Sequence, residues 1–171
     1  MTYLKSLTGI YYLGIGCGIW SKDEVIEWCD RVIEAIDHPP IELIETSIMS
    51  KSKIDDIQGK LFELSKIEDE EHFVKMVLSI IFYKIQKEQL SIERAIRITS
   101  RLLVQTGLSW ENKYRILYSI DDEYDLALGG IIQYQINEVE QEYIKELGVF
   151  KEYITEFTET YHKVLKQTWI K

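Results

Sequence analysis

The sequence predicts an all-α fold, either a compact multi-helix bundle or a short α-solenoid-like array of helix pairs. Three observations predict it. Apolar residues recur at three-and-four spacing along most of the 171 residues, capping residues and glycine stops punctuate those runs, and no alternating run is bounded by hairpin dipeptides. The length fits one domain, residues 1–171. With 46% hydrophobic and 12% aromatic residues, the composition is neither that of a disordered chain nor that of a Gly/Pro-rich fibre. No repeat with a period of roughly 30 to 47 residues is visible, so the two arrangements are not separated.

The clearest helix is expected from about Lys22 to Asp37, where Val25, Trp28, Cys29, Val32, Ile33 and Ile36 form one stripe. Ser21 with Glu24 fits a capping box at its start, and Pro39-Pro40 ends it and can open the next helix. Ile41, Leu43, Ile44 and Ile48 suggest a short helix to about Met49. Ser52 with Asp55 opens another, with Ile54, Ile57, Leu61 and Leu64 facing inward. The acidic run Glu68-Asp69-Glu70-Glu71 suits a helix N-terminus. Phe73, Val74, Val77, Leu78, Ile81 and Ile85 then give a wide apolar face, expected at the centre of the fold.

Ser91 opens the next helix, which carries Ala95, Ile96, Leu102 and Leu103 and stops at Gly107. A shorter helix is expected from Ser109, with Trp110, Tyr114, Leu117 and Tyr118 at helical spacing. Gly129-Gly130 breaks what precedes it, and Ile131 to Ile136 is the single strand candidate. Asn137 with Glu140 is read as the cap of a helix to about Leu147. After Gly148, Phe150, Tyr153, Ile154, Phe157, Tyr161 and Val164 mark a long last helix.

Charge is the most informative feature. Twenty Lys+Arg against 29 Asp+Glu leave a net −9, which repels phosphate backbones and argues against nucleic acid, and favours a basic partner. The distribution is uneven. Residues 21–50 carry two basic and eight acidic side chains, net −6, whereas residues 73–120 carry eight and three, net +5. Residues 121–160 carry two and eleven, net −9. Folding can neutralise the middle segment against its flanks, or it can leave an acidic surface free for a cationic partner. Asp121, Asp122, Glu123, Tyr124 and Asp125 are the candidate partner-binding residues, a local acidic knob with one aromatic side chain for contact area. Their spacing is not that of an EF-hand loop.

Other patterns point to no chemistry. Gly14-Ile15-Gly16-Cys17-Gly18 lacks the third glycine of a dinucleotide loop, since Ile19 stands there. His38, His72 and His162 have no second ligand at zinc spacing, so no metal and no cofactor are expected. Cys17 and Cys29 are read as reduced, and Cys29 lies on the apolar stripe as an inert thiol. No apolar run reaches the roughly 18 residues of a spanning helix, and Trp20-Ser21-Lys22-Asp23 offers no cleavage site. A cytoplasmic protein without a membrane role is expected.

Two stretches resemble known proteins. Val25-Ile26-Glu27-Trp28-Cys29-Asp30, leading to Asp37-His38-Pro39-Pro40-Ile41-Glu42-Leu43-Ile44-Glu45, is one, and Ile120-Asp121-Asp122-Glu123-Tyr124-Asp125-Leu126-Ala127 is the other. They resemble small bacterial helical proteins, some of them similar to immunity proteins of polymorphic toxin systems. The resemblance implies a cytoplasmic, non-enzymatic protein that binds and blocks a basic toxin. The expected function is thus a protein-binding module acting through an acidic surface. The competing readings are an enzyme whose site joins His72 or His162 to distant carboxylates, and a structural, oligomeric helical protein.

Overall fold

The structure is a computed structural model that describes residues 2–65, 67, 69–166 and 169, and among these it is all-α. The α-helices are α1 (Thr2–Cys17), α2 (Lys22–Ala35), α3 (Ile41–Ser47), α4 (Ile54–Ser65), α5 (Glu70–Gln86), α6 (Ile92–Gln105), α7 (Arg115–Leu128), α8 (Ile136–Leu147) and α9 (Tyr153–Leu165). Two short 3-10 turns, Leu108–Trp110 and Gly148–Phe150, join α6 to α7 and α8 to α9. The described residues gather into two compact units. One runs to Phe73 and takes back the chain from Thr155 onward; the other is Val74–Ile154.

In the first unit α1 is apolar on almost every side, so it is enclosed, with Leu4, Leu7, Ile10, Tyr11, Leu13, Ile15 and Cys17 buried. It packs on α4 and α2, and α3 packs on both α2 and α4. The Tyr11 ring is stacked between two indoles, with centroids 4.2 Å from Trp20 and 4.0 Å from Trp28. The glycine-rich run does not cradle a ligand. Gly14 lets Trp20 lie against α1, and its carbonyl accepts from the N–H groups of Gly18 and Ile19 at 3.0 Å each. Gly18, at φ 89°, ends the helix in the left-handed conformation that glycine tolerates. From α9, Phe157, Tyr161, Val164 and Leu165 are buried. Lys163 Nζ donates to the Tyr3 hydroxyl at 3.2 Å and sits 4.3 Å above its ring, tying α9 to α1.

Helix starts follow side-chain chemistry. The capping box at α2 is formed as expected: Ser21 N–H donates to Glu24 Oε2 at 2.7 Å, and Glu24 N–H to Ser21 Oγ at 3.3 Å. Pro40 is the residue before α3, one place earlier than a first helical position. At α4 the acceptor is Asp56, which takes the Lys53 N–H at 3.3 Å, so the start lies one residue later than Ser52 with Asp55 suggests. Of the acidic run before α5, Glu68 lies outside the described residues, and Asp69 is the residue that caps, accepting from His72 N–H at 3.1 Å.

In the second unit the stretch of α5 from Val74 buries Val74, Met76, Val77, Leu78, Ile80 and Ile81, in keeping with its wide apolar run. Ser91 caps α6 by accepting from Arg94 N–H at 3.3 Å, and Gly107, at φ 70°, stops it. α6 packs on α7, and α7 on α8. A buried hydrogen bond of 2.7 Å between Thr99 Oγ1 and the Tyr143 hydroxyl joins α6 to α8. Two boundaries differ from expectation. α7 begins at Arg115, because Leu108–Trp110 is a separate tight turn. The strand candidate from Ile131 to Ile136 is not a strand but the link into α8, which starts after Gln135, whose N–H donates to Glu138 Oε2 at 2.8 Å. Asn137 is therefore inside α8 rather than its cap.

Candidate functional site

The five residues expected to meet a partner stand on α7, and the fold assigns them different tasks. Ile120 and Tyr124 face the core with Leu117, at helical spacing, and Tyr124 is 5% exposed. That register turns Asp121 and Asp125, one turn apart, toward α6. There the Arg97 guanidinium donates to both carboxylates: Nη1 to Asp121 Oδ1 and, at 3.1 Å, to Asp125 Oδ2, and Nη2 to Asp125 Oδ1. It also lies 5.8 Å from the Tyr124 ring centroid. Hydrogen bonding to Asp125 raises Arg97 above the ordinary guanidinium range, and the same bond holds the Asp125 carboxyl below the usual carboxylate range. Burial raises the Tyr124 phenol, with Glu140 and Glu93 adding to the effect.

The acidic knob is thus divided. Asp121 and Asp125 pair internally with the basic middle segment, Tyr124 is in the core, and Glu123 accepts the Ser119 hydroxyl at 3.2 Å. Asp122 is exposed and makes no ion pair with the described residues. The five residues do not present one free anionic face.

An exposed surface of a different make-up lies at the end of the α7–α8 hairpin. Gly130, at φ 65°, and the bond from Ile131 N–H to the Leu126 carbonyl (2.9 Å) fold the link back on α7. The fold leaves Leu128 exposed, Ile131 at 73% and Tyr134 at 64% exposure. Between Ile116 and Ile144 the chain has no Lys or Arg, and seven acids: Asp121, Asp122, Glu123, Asp125, Glu138, Glu140 and Glu142. Of these, Asp122, Glu138 and Glu142 are exposed and stand outside the Arg97 pairing, on the two helices that flank the link. Ile131 was not a candidate from sequence, because a short apolar run reads equally as a buried strand. The available signal was its position directly after two glycines with no helical period of its own.

The remaining candidates separate in space. His72 Nε2 is 2.9 Å from Glu156 Oε1, both side chains partly exposed, and neither His38 nor His162 joins them in an ion pair. Among the described residues no group of three His, Cys, Asp or Glu side chains is placed to hold a metal ion. Burial, then the Asp30 charge, pushes the Cys29 thiol up to about 12, so it stays protonated. No described helix is long and apolar enough to cross a membrane. No protein family, curated protein or solved structure was found to match this chain.

Proposed function

We propose that this chain is a non-enzymatic protein-binding module that receives a basic protein partner on the α7–α8 hairpin. The observation that carries the reading is the solvent-facing apolar tip of Leu128, Ile131 and Tyr134 within 29 residues that hold seven acids and no Lys or Arg. Apolar contact area at the centre of a patch sets how long a complex lasts, whereas a charged surround steers and speeds the encounter. The tip has the first property, and Asp122, Glu138 and Glu142 supply the second. The resemblance of two stretches to immunity-type proteins gives the finer reading: the partner is a basic toxin domain, and binding blocks it.

The test follows from the division of roles. The chain, immobilised, is exposed to extract of its source cells at low salt, and bound proteins are compared with those held by the Ile131→Ser/Tyr134→Ser variant and by Asp122→Asn/Glu142→Gln. The expected result is a basic protein that leaves the wild type faster as the tip is removed, and associates more slowly, with a weaker salt dependence, as the acids are neutralised. Retention unchanged in both variants sinks the reading. Charge reversal at Asp121 or Asp125 is not a clean probe, since it breaks the pair with Arg97.

A further inference from the structure

Trp110 is 88% exposed, in contrast to Trp20 and Trp28, which are buried. A tryptophan offers more apolar area than almost any side chain, and here nearly all of it is accessible for contact. It stands on the 3-10 turn after Gly107 and borders a cavity of about 430 Å³. Ser109, Asn112, Arg115, Tyr118, Ser119 and Asp122 complete the border. That volume is in the range of small-molecule sites.

The order of these groups along α7 selects a ligand. Arg115 and Asp122 are seven residues apart, two turns and about 10 Å along one face, with Tyr118 and Ser119 between them. Neither Arg115 nor Asp122 makes an ion pair with the described residues. A purely anionic ligand would leave Asp122 opposed, and a purely cationic one would meet Arg115. A molecule with a carboxylate at one end and a cation at the other satisfies both, with its extended stem on the Trp110 and Tyr118 rings. A guanidinium or ammonium gains further from lying over an aromatic face, and an Arg side chain binds a carboxylate through two parallel hydrogen bonds.

We infer that the Trp110 groove binds a C-terminal-type basic amino-acid unit: an arginine or lysine with a free α-carboxylate, which Arg115 takes, and a side-chain cation, which Asp122 takes. Two sources share this chemistry, the free amino acid and the last residue of a peptide. The groove does not include Leu128, Ile131 or Tyr134, but it shares Asp122 with the acidic surround of the tip, so Arg115→Gln, which touches the groove alone, and Ile131→Ser, which touches the tip alone, tell the two readings apart.

Trp110 supplies the readout, because its emission is the one most open to solvent among Trp20, Trp28 and Trp110. The full chain is titrated with the tripeptide Gly-Gly-Arg, its C-terminal amide, free arginine, Gly-Gly-Glu and AMP, following fluorescence and, in parallel, calorimetry. Saturable binding of Gly-Gly-Arg is expected, about tenfold or more weakened by amidation, by Arg115→Gln and by Asp122→Asn, each of which removes a charged partner. Ile131→Ser leaves it unchanged. Tighter binding of the tripeptide identifies a peptide end as the ligand, and tighter binding of free arginine identifies the amino acid. Equal binding of the amide, equal binding of AMP, or no saturation by either arginine ligand overturns the inference. Circular dichroism of the two surface variants separates loss of binding from loss of fold.

Discussion

A Cβ built at Gly14 would fall 2.1 Å from Trp20 Cε3 and 2.2 Å from Cζ3, far inside contact distance. Trp20 cannot simply step aside, because it is stacked on Tyr11, itself stacked on Trp28. Gly14→Ala is therefore expected to destabilise the protein by about 1–3 kcal/mol, the range for forced overpacking. Gly59 is the contrast. It is exposed in α4 and an added Cβ meets nothing within 4 Å, so Gly59→Ala should stabilise by about 0.5–1 kcal/mol through chain entropy and helix propensity. Urea unfolding of both variants checks the pair; equal signs would refute it. Sequence shows a cluster of glycines near residue 14 but not which of them meets an indole, since that contact depends on how the chain turns after Gly18.

At the scale of elements, what the sequence shows well is periodicity joined to local hydrogen bonding. The α2 stripe and the Ser21–Glu24 box lie within a few residues of each other, so local physics decides them. What it shows poorly is which face of a short helix is buried. Ile41, Ile44 and Ile48 look like core residues, yet they are exposed and Leu43 is buried, because α3 meets α2 and α4 on its other side. The Arg97 pairing is likewise non-local: 24 and 28 residues separate it from Asp121 and Asp125. Its stability contribution has a definite pH dependence. The folded Asp125 value is depressed, so the contribution is complete above the unfolded carboxylate value of about 3.9 and fades as pH falls through the lower folded value. Arg97→Gln should lower the thermal midpoint at pH 7, with the gap to wild type narrowing below pH about 4. Asp122→Asn, which breaks no ion pair in the described structure, should leave the midpoint almost unmoved. A gap that stays constant with pH would mean that Arg97 acts through packing alone.

The whole molecule combines two facts that sequence states separately, the alternation of charge along the chain and the order of the helices. Within the second unit the basic stretch and the acidic stretch that follows it meet at Arg97, which holds Asp121 and Asp125, whereas Asp122, Glu138 and Glu142 are exposed. The first unit is discontinuous, so its integrity depends on residues at both ends of the sequence. α9 gives it Phe157, Tyr161, Val164 and Leu165, all buried, and the Tyr3–Lys163 contact. Removing the chain from Thr155 onward should therefore unfold the first unit selectively, since losing one large buried side chain alone typically costs about 2–5 kcal/mol. The second unit keeps its own buried set, including Leu78, Ile96, Leu102, Tyr114 and Tyr143. Hydrogen exchange read peptide by peptide checks this: protection should vanish across α1 to α4 and persist in α6 to α8. Loss of protection throughout both units would show that the two fold as one cooperative body.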